Sequence, residues 1–127
     1  MTNIQLLTQP GKINRMTTRN RIVMSSAITN TDNPDGTVHD QTIAYYVERG
    51  KGGAGIVNTG YNFICQRGRA GLYQMSTASD DMIPSMRRLT EAFHAAAPQS
   101  RIGSQISHAG RQTNSHVTGE TPEAPSA

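Results

Sequence analysis

The stretch Arg101-Ile102-Gly103-Ser104-Gln105-Ile106-Ser107-His108-Ala109-Gly110-Arg111 joins an apolar-leaning segment to a polar turn. It predicts a strand over Arg101 to Ser107 that runs straight into the turn. In parallel α/β proteins ligands bind at the carboxyl ends of the strands, where His108 and Arg111 follow. Gln105 is an amide among residues expected to face the core, and a buried amide can donate and accept in one plane. The stretch therefore predicts a strand end that binds a flat heterocycle.

Two earlier segments also predict a strand that is followed by a polar loop. Arg21 to Ser25 is a short apolar run that predicts a buried strand, and residues 26–38 after it are dense in turn formers. Ala54 to Thr59 predicts a second buried strand, because it is small and apolar as a doubly covered parallel strand can be. A long polar loop over residues 60–79 follows, and loops of this length in a compact domain are usually functional.

The segments between these strands have helical periodicity. Asp40 to Arg49 predicts one helix, and Ser79 to Ala97 predicts a second, with Pro84 in its first turn. The predicted buried positions of the two helices are Ile43, Tyr46, Val47 and Gly50, then Met82, Met86, Leu89 and Phe93. Strands that alternate with helices predict an α/β fold with a parallel sheet and right-handed crossovers.

The two ends of the chain carry weaker patterns. In the initial segment, residues 1–20, Lys12 to Asn14 and Met16 to Arg19 predict a short hairpin around Asn14-Arg15. The polar tail from His108 to Ala127 carries no predicted element.

Composition excludes several classes of function. The 127 residues carry a formal charge of +3, and ten of the twelve basic residues are arginine, yet none form a basic tract. That distribution argues against nucleic-acid binding. Cys65 is the only cysteine, so neither an internal disulfide nor a zinc knuckle is expected, and no metal is predicted. No segment approaches the ~20 apolar residues of a membrane span, and the first residues lack a signal-peptide pattern. A cytoplasmic location is expected.

Five blocks carry a family pattern, namely residues 19–24, 35–37, 43–55, 105–111 and 124–127. In order and spacing they resemble the old yellow enzyme family of NADH:flavin oxidoreductases. The resemblance starts near Leu6 and covers the rest of the chain. The Ser25-Ser26 pair is similar to the 2,4-dienoyl-CoA reductase branch of that family.

The resemblance implies a particular fold. The family fold is a TIM (β/α)₈ barrel that holds FMN at its carboxyl-terminal mouth, and such barrels need about 250 residues. Residues 1–127 are therefore expected to form an N-terminal fragment of an FMN-binding domain, a truncated barrel portion of about three strands.

The resemblance also implies the site. The segment of Ser25, Ser26, Ala27 and Ile28 would contact the isoalloxazine ring. Gly60 would let the flavin pyrimidine approach, and Gln105 would bond the pyrimidine edge. His108 and Arg111 would lie near the substrate. The residues alone leave other interpretations open: Gln105 as an internally satisfied strand residue, His108 as a capping residue, and Arg111 as the partner of a loop carboxylate.

The reaction implied by the resemblance passes hydride from NADH or NADPH to FMN and on to an activated alkene. The family's phosphate site and proton donor lie on later strands, outside this chain. A second hypothesis is an incomplete, inactive barrel segment that self-associates or docks with a complementary piece through its unpaired sheet edge. A third is a small independent α/β binding module. Arg67 and Arg69 are interpreted as part of a solvated loop rather than a phosphate site, and Tyr46 as helix packing.

Overall fold

The computed structural model describes residues 3–126, without the side chain of Asn3. Met1, Thr2 and Ala127 lie outside the described residues, although they belong to the predicted initial segment and final block. The helices are α1 Asn3–Thr8, α2 Asp40–Lys51, α3 Ile83–Ala96 and α4 Ser115–Thr118. The strands are β1 Gly11–Ile13, β2 Met16–Thr18, β3 Val23–Met24, β4 Ile56–Asn58, β5 Asn62–Phe63, β6 Arg101–Gly103 and β7 Ile106–Ser107.

A parallel sheet of three strands in the order β3-β4-β6 organises the chain. Val23 pairs with Ile56 on one side of β4, and Val57 pairs with Ile102 on the other. The crossover from β3 to β4 contains α2, and the crossover to β6 contains α3. The predicted α/β alternation is confirmed, and it brings the carboxyl ends of all three strands to one edge.

The core lies between the central strand and the two crossover helices. Val57 of β4, Tyr46 of α2, and Leu89 and Phe93 of α3 are all fully buried. Burying each such side chain is worth roughly 1.5–3 kcal/mol. The helices approach closely at Gly50, where a Cβ atom would lie 2.7 Å from the Phe93 ring. Both predicted helices are confirmed, and their buried positions include the predicted Tyr46, Gly50, Leu89 and Phe93.

The ends of the chain hold more structure than expected. The predicted hairpin is confirmed as antiparallel β1 and β2, with Asn14 in its turn at φ 51°. Helix α1, which precedes it, was not predicted. The polar tail also folds, because the Asn114 side chain caps α4 by accepting from the His116 N–H at 2.9 Å. The expectation of a tail without elements is wrong.

Two strand predictions are also wrong in part. The first strand was expected to be buried, but Ile22 and Val23 are 45% and 50% exposed. Since β3 is an edge strand, no further strand among residues 3–126 covers its outer side. The single strand expected over 101–107 is broken into β6 and β7. Whereas β6 pairs with β4, β7 pairs with β5, which lies inside the expected 60–79 loop.

Candidate functional site

Polar side chains gather where the three parallel strands end. Two serines follow β3, an asparagine ends β4, and two polar residues follow β6. They line an open cavity of about 610 Å³. The lining residues are Val23, Ser25, Ser26, Asn58, Ser104 and Gln105. The structure thus brings together three predicted site residues, Ser25, Ser26 and Gln105, from sequence positions 80 residues apart.

Gln105 faces this cavity instead of the core. It was expected to be buried, and that expectation is wrong because its side chain is exposed. The chain leaves the β4 ladder after Gly103, so Gln105 falls in the break between β6 and β7. Its backbone is nevertheless fixed, since the Gln105 carbonyl accepts from the Asn62 N–H at 2.7 Å. A fixed backbone with an exposed amide presents a donor and an acceptor to a ligand.

Gly60 joins the end of β4 to the segment after β3. A Cβ atom on Gly60 would lie 2.6 Å from the Ala27 carbonyl oxygen and 3.1 Å from the Ile28 Cα. Such close backbone contact requires glycine at this position. The predicted site residues Gly60, Ala27 and Ile28 therefore meet. Their contact is internal to the chain, and it holds residues 25–28 against the sheet.

The Tyr46 hydroxyl also contacts Gly60. The Gly60 N–H donates to the Tyr46 Oη at 2.6 Å, and both residues are buried. Burial disfavours the phenolate and raises the pKa of Tyr46 to about 12. The predicted packing role of Tyr46 is confirmed by its burial, and its hydroxyl has the additional role of fixing the Gly60 backbone.

The two predicted substrate residues lie outside the cavity lining. The His108 ring packs against Gly68, where a Cβ atom would lie 2.6 Å from the His108 Cδ2. Its Nδ1 accepts from the Gly110 N–H at 3.1 Å. In the neutral ring the proton then resides on Nε2, which is left to donate. Arg111 is exposed on the short 3₁₀ turn Gly110–Gln112. A role for either residue toward a substrate stays a prediction.

The two arginines of the long loop differ from each other. Arg67 is exposed, as expected, and pairs with Glu120 and Glu123 of the tail. Arg69 is only 5% exposed, so the solvated interpretation is wrong for it. Its guanidinium donates to the carbonyls of Pro34, Gly71 and Leu72 and lies 4.9 Å from the centre of the Phe63 ring. Burial lowers the pKa of Arg69. These contacts show that the guanidinium holds the loop together.

Sequence reasoning missed three polar residues of the site. Asn58 and Ser104 line the cavity, and the buried Asn62 donates a hydrogen bond to the Ser104 Oγ. The Asn58 Oδ1 occupies the space where a Cβ on Gly103 would lie, so glycine on β6 makes room for the amide of β4. The available signal was position, since Asn58 and Ser104 stand at the carboxyl ends of their strands.

Neither a metal-binding cluster nor a membrane-spanning helix occurs within residues 3–126. Nowhere in that range do three or more histidine, cysteine, aspartate or glutamate side chains come together as a metal site would require. Of the helices described, none has the length and apolar character that crossing a membrane needs.

Comparison with known sequences identifies relatives. The sequence profile of the NADH:flavin oxidoreductase / NADH oxidase family matches residues 6–127. An NADH oxidase of Thermoanaerobacter brockii is 37% identical over 99% of this chain, which spans 19% of that enzyme. A metal reductase of Desulforamulus reducens is 37% identical over 97% of this chain and 18% of the relative. The chain therefore spans about a fifth of the length of these relatives.

Comparison with solved structures confirms the fold class. The old yellow enzyme homologue from Zymomonas mobilis superposes with a TM-score of 0.86 at 29% identity. The match covers 95% of this chain and 33% of that structure. The chain is thus an α/β portion of a TIM (β/α)₈ barrel, and the crossover pattern of β3, β4 and β6 is the one that such a barrel repeats.

Proposed function

Because the chain belongs to the NADH:flavin oxidoreductase / NADH oxidase family, we propose that it contributes one wall of an FMN site to an NAD(P)H-dependent oxidoreductase. FMN and NAD(P)H are the cofactors that membership of this family implies. Residues 1–127 would form the N-terminal part of the FMN-binding barrel domain. The observation that carries the proposal is the cavity at the carboxyl ends of β3, β4 and β6, where barrels of this kind bind ligands.

The residues around the cavity fit a flavin ring. The pyrimidine edge of an isoalloxazine carries carbonyl oxygens and a ring N–H, and the exposed Gln105 amide offers a donor and an acceptor in one plane. Ser25, Ser26 and Ser104 add hydroxyl groups to the cavity. The Gly60 contact sets the backbone of Ala27 and Ile28 beside it. This chain's residues would bind and orient the ring, while bound FMN would supply the hydride chemistry.

The substrate proposed for the whole protein is an activated alkene. The whole protein would transfer a hydride from NADH or NADPH to the β-carbon of the alkene, and a proton would complete the reduction. The family resemblance implies that His108 and Arg111, which follow β7, would lie on the substrate side. Both side chains would contact the substrate from the turn after β7. The predicted cytoplasmic location stays a prediction.

Titration of the full-length protein with FMN, followed by flavin fluorescence, tests the proposal. Replacing Gln105 by alanine removes the hydrogen bonds to the ring edge, so the dissociation constant of FMN should rise about tenfold. The matched control is Gln99→Ala, which removes another exposed amide from the opposite end of β6. Equal FMN affinity in wild type and Gln105→Ala would contradict the role of Gln105, and absence of FMN binding by the wild type would contradict the proposed function.

The open sheet favours a second candidate, in which residues 1–127 alone are an inactive segment. The outer edge of β3 is unpaired within the described chain, and Ile22 and Val23 beside it are half exposed. An apolar, unpaired edge pairs readily with another strand. We propose that the isolated chain self-associates or docks with a complementary piece. Size-exclusion chromatography with an NADH oxidation assay distinguishes the candidates, because turnover by a 127-residue monomer would exclude the inactive segment.

A further inference from the structure

Asn62 lies buried between the strand ends that carry the cavity residues. Its side chain is fully buried at the start of β5. The Asn62 backbone N–H donates to the Gln105 carbonyl at 2.7 Å. Its side-chain Nδ2 donates to the Ser104 Oγ, also at 2.7 Å, across 42 residues of sequence. One residue therefore holds both cavity residues that follow β6.

The direction of these hydrogen bonds matters for a ligand. Because the Ser104 Oγ accepts from Asn62, its own O–H proton is left to donate elsewhere, and Ser104 lines the cavity. Because the Gln105 backbone is tied to β5, its exposed side chain has a fixed origin at the cavity wall. Asn62 thus controls the positions of a hydroxyl donor and an amide without lining the cavity itself.

Packing alone does not explain an amide at this position. The Asn62 Oδ1 is buried and has no hydrogen-bond partner among residues 3–126. A buried acceptor without a partner is costly, and an apolar side chain of similar size would avoid that cost. The amide can make a hydrogen bond that leucine could not, and the bond that it makes is the one to Ser104.

We propose that Asn62 is a positioning residue of the flavin site, which holds Ser104 and Gln105 in the register that meets the pyrimidine edge of FMN. The inference rests on the proposed function, since it assigns Asn62 a role toward the same ring. It goes beyond that function by assigning part of the affinity for FMN, and of the reduction potential of bound FMN, to a residue outside the cavity lining.

The test uses the protein at its full natural length with FMN as the probe. Asn62→Leu keeps the volume and removes the side-chain bond, so we expect the dissociation constant of FMN to rise about tenfold. The reduction potential of bound FMN should shift in the same direction as in Gln105→Ala. The double variant Asn62→Leu/Ser104→Ala should bind about as weakly as Ser104→Ala, because the Asn62 side chain acts through the Ser104 hydroxyl and residues that act through one group are not additive.

Two serines flank β6 and supply the matched controls. Ser104→Ala removes the acceptor of the Asn62 bond, so it tests the same hydrogen bond if Asn62→Leu does not fold. Ser100, at the other end of the strand, is equally a hydrogen-bonded serine, fully buried, and donates to the Ala54 carbonyl at 2.7 Å. Ser100→Ala should lower the thermal midpoint and leave the FMN dissociation constant unchanged.

The outcomes separate the two proposals. If the wild type binds FMN and neither Asn62→Leu nor Ser104→Ala changes its dissociation constant or potential, the positioning role is overturned while the proposed function stands. Additive losses in the double variant would also overturn it, because the Asn62 side chain would then act independently of Ser104. If the wild type does not bind FMN, the proposed function fails and the positioning role fails with it.

Discussion

Replacing Tyr46 by phenylalanine removes a single oxygen atom from the centre of the fold. Tyr46 is fully buried, and its hydroxyl accepts from the Gly60 N–H at 2.6 Å. The variant keeps the ring and leaves that N–H without an acceptor in a buried place. A buried donor that loses its partner costs about 1–3 kcal/mol. We expect the free energy of unfolding to fall by that amount at pH 8.

The same hydroxyl gives the wild type a pH dependence that the variant lacks. Burial raises the pKa of Tyr46 from 10.0 to about 12. The unfolded chain loses this proton near its ordinary pKa, whereas the folded protein retains it to a higher pH. The stability that Tyr46 contributes is therefore complete below pH 10 and is lost as pH rises toward 12. By linkage, the loss at pH 11 is about 1.4 kcal/mol.

Urea unfolding of both proteins at pH 8 and pH 11 measures the two effects together. The stability gap between wild type and Tyr46→Phe should narrow by about 1.4 kcal/mol at pH 11. The control is Tyr45→Phe, since Tyr45 is half-buried and packs its ring edge to face on Tyr46 at 5.1 Å. It should change the free energy of unfolding by under about 0.5 kcal/mol. Equal losses in the two variants at pH 8, or a gap that does not narrow, would refute the reasoning.

Three further substitutions test the surroundings of the site. Gly60→Ala places a methyl group 2.6 Å from a carbonyl oxygen and should lower the free energy of unfolding by about 1–2 kcal/mol. Its control, Gly52→Ala, lies at a helical φ of −63° and should raise the free energy of unfolding by about 0.4–1 kcal/mol; calorimetry measures both variants. Arg69→Lys removes the planar guanidinium that donates to three carbonyls, and urea unfolding should show the free energy of unfolding to fall by about 1.5–3 kcal/mol. A fall no greater than that caused by Arg67→Lys, at an exposed position, would contradict this expectation. Burial raises the pKa of Asp32 above 3.8, so the stability that Asp32 contributes is complete at low pH and is lost as pH rises through the raised value. The free energy of unfolding of Asp32→Asn should therefore rise relative to that of the wild type between pH 4 and pH 7. A stability difference between the two proteins that is independent of pH would show that the burial argument fails.

The helices could be predicted because their signals are local. The spacing of Leu89 and Phe93 and the position of Pro84 define α3 within a few residues of sequence. The strands could be predicted only in outline, because a strand ends where its partner ends. Nothing near Ser104 in sequence shows that β6 leaves β4 there, or that β7 pairs with β5, about 44 residues earlier.

The sequence predicted part of the cavity lining but not the geometry of the cavity. Ser25 and Ser26 were identified from the family resemblance, Gln105 from that resemblance and from its amide within a predicted strand, and all three line the cavity. The exposure of Gln105 could not be predicted, because it depends on the break in the strand. The role of Asn62 depends on a partner 42 residues away, which no local pattern reveals.

The two sides of the proposed flavin wall depend differently on the rest of a barrel. The contact of Gly60 with Ala27, and its bond to Tyr46, lie wholly within this chain and are buried by it. That part of the wall is therefore set before any further strand is present, and a preset wall lowers the ordering cost of binding. Gln105 is exposed, and its amide gains strength toward a ligand only when water is excluded from the cavity. Additional strands would thus raise the affinity for FMN mainly through Gln105 and much less through the backbone around Gly60.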